Sequence, residues 1–108
     1  MTEIVVVLTT VADNDAAEPL ARQLVEEQLA ACVNVLPAMV SFYRWKGQVE
    51  RDAERQLVIK TTSDRVAALE KRVRELHAYE LPEFVVIQGQ GSVDYAEWVR
   101  EALHHGGH

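Results

Sequence analysis

The sequence predicts a single α+β domain, and three observations support this prediction. The chain has 108 residues, which fits one domain, since single domains typically hold about 100–150 residues. Apolar residues make up 48 % of the chain and charged residues 26 %, as is typical of a globular protein. Runs of β-branched residues alternate with segments whose apolar residues recur at helical spacing. The predicted order of elements is β-α-β-β-α-β-α.

The first predicted strand is the β-branched run at residues 4–8, which is apolar on both faces. We expect a strand of this kind to be covered on both sides. The first helix is predicted to begin at Asp15, because Glu18 follows at the spacing of a capping box. Apolar residues at helical spacing continue this helix to about Ala31.

A long hairpin is predicted after the first helix. Residues 33–45 form its first arm with a break near Pro37, and residues 48–62 form the return arm. The turn is placed at residues 46–47, because glycine accepts a positive φ. The first arm would span about 43 Å at about 3.3 Å per residue, whereas a helix of about 15 residues is only about 22 Å long. The aromatic tip therefore extends beyond the helices and predicts self-association.

The second half of the chain predicts a helix, a strand and a final helix. Ser63 is predicted to cap a helix with apolar residues along one face. Residues 84–87 form the fourth strand and residues 89–91 a turn, and then Ser92 or Asp94 begins the short third helix. Two helical crossovers separated by a hairpin define the ferredoxin-like βαββαβ arrangement, here with an extra C-terminal helix.

Composition also limits the class of protein. The 17 acidic and 11 basic residues give a net charge of −6, which argues against a nucleic-acid or anionic-membrane partner. No stretch approaches the roughly 18 apolar residues of a membrane span, so we expect a cytoplasmic protein. One domain is predicted for residues 1–103, and residues 104–108 form a tail of histidine and glycine that we expect to be flexible.

Five segments carry a resemblance to a known family. They are residues 30–37 (AACVNVLP), 41–47 (SFYRWKG), 57–62 (LVIKTT), 77–83 (HAYELPE) and 95–98 (YAEW). In order and spacing they resemble the CutA family, which is associated with tolerance of divalent cations. The resemblance implies a homotrimer of ferredoxin-like subunits with the sheets packed inside and the helices outside. It also implies a protein that responds to or binds a divalent metal ion, with Cu²⁺ as the first candidate, and no organic cofactor.

His77 is the candidate metal ligand. It lies at the end of the second predicted helix, beside Tyr79, Glu80 and Glu83 in an acidic loop. Imidazole together with carboxylate suits Cu²⁺ or Zn²⁺. The alternative is a structural histidine, because a cation is favourable near a helix C-terminus.

A cleft between subunits is the second candidate site. Its candidate residues come from the hairpin and from the loop after the second helix: Tyr43, Trp45, Lys60, Tyr79, Glu80 and Glu83. Such a cleft would hold a small polar ligand. The alternative is that these residues only pack the trimer interface, where the same residue types are common.

No catalytic template is present, so we expect no enzyme. The sequence has no G-x-S-x-G, H-E-x-x-H, Walker or C-x-x-C motif. Two alternatives stay open. One is a signalling trimer similar to the PII proteins, with a metabolite at the subunit clefts. The other is a small α+β-barrel enzyme with His77 as general base. The expected partner is the chain itself, with a further protein partner left open.

Overall fold

The structure, a computed structural model, describes residues 1–104 and contains an antiparallel sheet with helices on both of its faces. The elements in chain order are β1 (Thr2–Ala12), α1 (Ala17–Glu26), β2 (Cys32–Val35), β3 (Met39–Trp45), β4 (Gln48–Thr61), α2 (Val66–Leu76), β5 (Val85–Gly91) and α3 (Val93–His104). A short 3₁₀ turn, Ser63–Arg65, precedes α2, whose N-cap is Arg65, so the predicted capping of this helix by Ser63 was wrong. This order confirms the predicted α+β class and the extra C-terminal helix.

The strands lie in the order β2-β4-β1-β5, and each neighbouring pair is antiparallel. Strand β3 pairs with the first half of β4, and β2 pairs with the second half. The first arm of the predicted hairpin is therefore two strands, interrupted at residues 36–38. Pro37 lies in this break, where its missing N–H removes a ladder hydrogen bond. The chain measures 44 Å along its longest axis and 26 Å across it.

The main core lies between one face of the sheet and helices α1 and α2. Its fully buried residues are Val5, Val7, Leu57 and Ile59 from the strands, Leu24 from α1, and Leu69 and Val73 from α2. The strand members are odd-numbered, as expected where side chains alternate between two faces. Burial of these branched side chains holds the two helices on this face.

Within residues 1–104 the opposite face of the sheet is covered by α3 at one end, and at the other end by the segment 78–84, whose Tyr79 and Glu83 contact β4. Helix α3 covers the end near Ala31. There Val99 and Leu103 of α3 pack against Ala31. A Cβ at Gly91 would lie 3.4 Å from the Ile4 side chain and 3.6 Å from Tyr95, which are ordinary contact distances. The rest of this face carries apolar side chains that the described chain leaves partly or largely uncovered, which we call the open face: Val6, Leu8, Val58, Val85 and Ile87.

Two details of the first half differ from the sequence prediction. Helix α1 begins at Ala17 without a side-chain cap, and the Asn14 side chain instead accepts a 2.9 Å hydrogen bond from the Ala16 N–H. The predicted capping box at Asp15 was therefore wrong. The helix also ends at Glu26 rather than near Ala31, because Gln28 has φ +60° and helical residues have a negative φ.

Two further differences lie near the C-terminus. Residues 89–91 were predicted to be a turn, but they belong to β5, because β1 begins at Thr2 and pairs with Gly91. The sequence alone does not show this partner strand. Helix α3 continues to His104. The rest of the predicted tail, residues 105–108, lies outside the described residues.

Candidate functional site

The hairpin turn determines where the aromatic residues of β3 lie. Lys46 and Gly47 have φ +50° and +80°, the signs that a two-residue type I′ turn requires. The turn is therefore at the predicted position. It pairs Trp45 with Gln48 and Tyr43 with Glu50, so that every second residue of β3 and β4 shares one face.

A cleft of about 950 Å³ lies between this hairpin and the loop at residues 78–84, which joins α2 to β5. Thr10, Glu54 and Gln56 from the sheet line it on one side. The other lining residues that matter for the chemistry come from β3 and from the loop: Phe42, Tyr43, Arg44, Trp45, Tyr79, Glu80 and Glu83. The volume is within the usual range of small-molecule pockets, about 300–1,000 Å³.

Two tyrosine–carboxylate pairs lie along β4 beside the cleft. The Tyr79 hydroxyl donates to Glu54 Oε2 at 2.8 Å, and Glu54 is only 6 % exposed. Burial, and then this hydrogen bond, raise the pKa of Tyr79 well above its ordinary value. The Tyr43 hydroxyl donates to Asp52, and this hydrogen bond raises the pKa of Tyr43 to about 12. Both tyrosine hydroxyls therefore donate their proton to carboxylates of the protein itself.

Two further carboxylates line the cleft, those of Glu83 and Glu80, and a neighbouring side chain contacts each of them. The Gln56 side-chain amide donates to Glu83 Oε2 at 3.0 Å and to the Thr9 carbonyl at 2.7 Å. Lys46 Nζ lies 3.9 Å from Glu80 Oε2, and the same atom lies 5.7 Å from the centroid of the Trp45 ring. The cleft is therefore acidic at its base and at its rim.

His77 holds the loop to the sheet. Its Nε2 lies 2.6 Å from the Thr10 carbonyl, and its Nδ1 accepts the backbone N–H of Tyr79 at 3.1 Å. These partners assign the neutral tautomer with the proton on Nε2. The ring also lies 4.6 Å from the Tyr79 ring. A metal ion at His77 would have to displace one of these two hydrogen bonds.

The structure brings together five of the six residues predicted for the cleft. Lys60 does not line it within one chain, because it pairs with Cys32 near the other end of β4 and donates to Asn34. The prediction missed Glu54 and Gln56, which are two residues apart on β4. The sequence shows that Glu54 and Gln56, two residues apart on a strand, share one face of the sheet. It does not show that the loop covers this face.

No group of three or more His, Cys, Asp or Glu side chains that could hold a metal ion occurs within residues 1–104. The same range contains no helix long and apolar enough to cross a membrane.

Comparisons with known proteins agree with this fold. A family model described as "CutA1 divalent ion tolerance protein" matches residues 5–102. The "Divalent-cation tolerance protein CutA" of Thermus thermophilus is 45 % identical over 97 residues, which cover 89 % of this chain and 94 % of that protein. The human "Protein CutA" is 43 % identical over 93 residues, which cover 85 % of this chain but only 52 % of the human protein. The chain thus spans about half of the longer relative.

Solved structures give the same result. The Cut A1 structure from Thermus thermophilus matches with a TM-score of 0.87 and 44 % identity, covering 92 % of this chain and 97 % of that one. CutA1 from Oryza sativa matches with a TM-score of 0.88 and 37 % identity, covering 94 % of each chain. The molecule is a small α+β protein of ferredoxin-like topology. It belongs to the CutA1 divalent ion tolerance family, which confirms the family resemblance in the sequence.

Proposed function

We propose that this chain acts in tolerance of divalent cations. It does so as a homotrimer that binds a divalent metal ion, with Cu²⁺ as the first candidate, and it catalyses no reaction. The observation that carries the proposal is family membership over residues 5–102, since relatives are named for divalent-cation tolerance. The net charge of −6 supports cation binding, because an acidic protein attracts cations at a distance.

The open face supports the trimer. Val85 and Ile87 of β5 are 45 % and 44 % exposed, beside the half-buried Val6 and Leu8 of β1. A contiguous apolar surface of this kind is typical of an interface. Packing the open faces of three chains against one another would bury it and leave α1 and α2 outside.

The trimer is tested by placing a charge on the open face. Ile87→Arg should lower the mass in solution, measured by sedimentation, towards that of one chain, because an unpaired charge would be buried in the interface. The matched control is Gln88→Arg, the next residue of the same edge strand, which pairs with Val5 and faces the helix side. A trimer that persists in Ile87→Arg would contradict this assembly.

The metal site requires donors from more than one subunit. No sufficient donor set occurs within residues 1–104 of one chain, and both ring nitrogens of His77 are hydrogen-bonded. We therefore propose that carboxylates at the cleft supply oxygen ligands, and that His77 binds Cu²⁺ only by releasing the Tyr79 N–H. An all-oxygen set would instead favour harder ions such as Mn²⁺.

Calorimetric titration of Cu²⁺ and of Mn²⁺ tests this site. The full chain carrying His105→Ala and His108→Ala is the reference, because it lacks the histidines that could bind copper outside the described fold. Adding His77→Ala should weaken Cu²⁺ binding and leave Mn²⁺ binding unchanged. Absence of saturable binding of either ion to the reference would overturn the metal role.

Of the two alternatives, the geometry favours the small-ligand protein. The cleft of about 950 Å³ is far larger than one metal ion needs, which supports a signalling trimer similar to the PII proteins. The enzyme alternative gains no support, because the His77 lone pair that a general base needs already accepts the Tyr79 N–H.

Cytoplasmic location stays a prediction. Relatives include an Arabidopsis protein named "chloroplastic" and an Archaeoglobus structure described as "Periplasmic". Cell fractionation with an antibody to this chain is the direct test.

A further inference from the structure

The two oxygens of the Glu54 carboxylate differ in their hydrogen bonding. The residue is 6 % exposed, and only its Oε2 has a hydrogen-bond donor, the Tyr79 hydroxyl. Within residues 1–104 no donor reaches Oε1. Oε1 is not among the buried polar atoms that lack a partner in this part of the chain, so this oxygen is reached from the cleft that Glu54 lines. A ligand in the cleft with an N–H group could therefore donate to Oε1.

The charges of the cleft favour a cation over an anion. Three carboxylates line it, from Glu54, Glu80 and Glu83, and among the described lining residues one basic side chain, Arg44, opposes them. The amide of Gln56 already donates to Glu83. The cleft therefore offers mainly hydrogen-bond acceptors, which match a donor-rich ligand.

The hairpin adds aromatic surface to this acidic cleft. Tyr43 is 41 % exposed, and it shares with Trp45 the face of the hairpin that carries Glu54, where both line the cleft. Aromatic faces attract cations that lie within about 6 Å of the ring centroid. Such surfaces, combined with carboxylates, are suited to a charged nitrogen on an apolar body.

Lys46 shows how an ammonium group is accommodated at the rim. Its Nζ lies 5.7 Å from the Trp45 ring centroid and 3.9 Å from the carboxylate of Glu80. The side chain itself is 72 % exposed. One ammonium group of the protein thus already contacts both chemical features of the cleft, an aromatic ring and a carboxylate.

We propose that this cleft binds a small organic cation, a primary ammonium compound with an aromatic or alkyl body. The ammonium donates to Glu54 Oε1, and the body lies against Tyr43 and Trp45 of β3. This inference deepens the small-ligand alternative by naming its ligand class, and it does not depend on a metal site. The volume of about 950 Å³ accommodates such a molecule.

The test compares benzylammonium with benzyl alcohol, a neutral compound of nearly the same shape. Both are titrated into the full chain, followed by calorimetry and by the chemical shift of the Trp45 indole N–H. Benzylammonium should bind and shift this signal, and benzyl alcohol should not. Equal binding of the two compounds would show that the cleft does not select charge, and would overturn the proposal.

Two variants locate the binding site. Glu54→Gln keeps the shape and an acceptor for Tyr79 but removes the charge, so affinity for benzylammonium should fall about tenfold or more, as for loss of a charged hydrogen bond. The matched control, Glu26→Gln, removes an exposed carboxylate from α1 and should leave affinity unchanged. If both variants bind as the unmodified chain does, the ammonium is not at Glu54.

A third variant should change affinity in the opposite direction. Lys46→Asn removes a positive charge at the rim of the cleft, where Lys46 lies beside Glu80, and it gives an Asn-Gly pair, which the type I′ turn favours. Affinity for benzylammonium should rise about twofold to fivefold, because a nearby exposed charge that repels the ligand is lost. A decrease would contradict the role assigned to the rim.

Titration of Cu²⁺ into the same variants separates this proposal from the metal role. If the chain binds benzylammonium but no Cu²⁺, and Glu54→Gln loses this binding, the ammonium site is supported and the metal role is contradicted. If the chain binds Cu²⁺ but no benzylammonium, the metal role is supported and the ammonium site is contradicted.

Discussion

Tyr79 donates a 2.8 Å hydrogen bond to Glu54, a carboxylate that lies 25 residues earlier in the chain and is 6 % exposed. This bond joins the loop at residues 78–84 to β4. It also leaves the second oxygen of Glu54 as the acceptor on which the ligand proposal depends. The Tyr79 hydroxyl therefore holds the loop against β4 and leaves one Glu54 oxygen available to accept a hydrogen bond in the cleft.

Removal of this hydroxyl should destabilise the fold. Tyr79→Phe leaves the Glu54 carboxylate buried without its donor, which should lower the free energy of unfolding by about 1–3 kcal/mol. Urea denaturation measures this change. The control is Tyr95→Phe on α3, whose hydroxyl has no hydrogen bond within residues 1–104 and should cost little. Equal stability of the two variants would argue against the Tyr79–Glu54 bond.

The tyrosines should ionise unusually late on raising the pH. The hydrogen bond to Asp52 raises the pKa of Tyr43 to about 12. Burial is the main cause that raises the pKa of Tyr79 and of Tyr95. Absorbance of tyrosinate should therefore be small at pH 10 in the folded chain, whereas chain unfolded in guanidinium should be about half ionised there. Asp52→Asn should return the pKa of Tyr43 towards its ordinary value.

The same shifts fix the sign of the pH dependence of stability. Each tyrosine has a higher pKa in the folded chain than in the unfolded chain, so between the two values the folded chain binds more protons. The contribution to stability is complete below about pH 10 and is lost as the pH rises through the folded value. Stability that stayed constant from pH 9 to pH 12 would contradict these shifts.

The hairpin turn can be improved by substitution. Lys46 has φ +50°, a conformation that costs most residues roughly 1–2 kcal/mol but that asparagine adopts more easily. Lys46→Asn should raise the free energy of unfolding by about 0.5–1 kcal/mol, because the exposed contact with Glu80 contributes little. The same substitution inside a helix, Lys71→Asn in α2, should instead lower it, because asparagine has the poorer helix propensity. Urea denaturation of both variants checks the difference in sign.

Two neighbouring residues of α1 should differ sharply in their contribution to stability. Leu24 is fully buried, whereas Val25 is 40 % exposed. Leu24→Ala should cost about 2–5 kcal/mol, through lost burial and the cavity left behind. Val25→Ala should cost much less, and it serves as the control in the same denaturation experiment. A similar cost for both would mean that α1 packs on a different face.

Much of the fold could be predicted because its signals are local. The β-branched run at residues 4–8 and the Lys46-Gly47 turn are both found within the predicted elements. The limits of β5 could not be predicted, because residues 89–91 are extended only through pairing with the first residues of β1. Such pairing joins segments far apart in the sequence, which local patterns do not report.

The site was harder to predict than the fold for the same reason. Glu54 lies in the charged segment 50–55, which by itself is typical of a solvated strand. It is buried by Tyr79, which comes from another part of the chain. His77 was chosen for its chemistry, but its ring is hydrogen-bonded to backbone on both sides. Only three-dimensional packing distinguishes these two cases.

The way the loop at residues 78–84 is attached has a consequence for motion. Within the described chain it shares no backbone–backbone hydrogen bond with the sheet, and side chains such as His77, Tyr79 and Glu83 hold it in place. Local opening of this loop therefore breaks a few side-chain bonds and leaves the strand ladder intact, at a cost below that of global unfolding. Such an opening would widen the cleft while the pairing of the strands is kept.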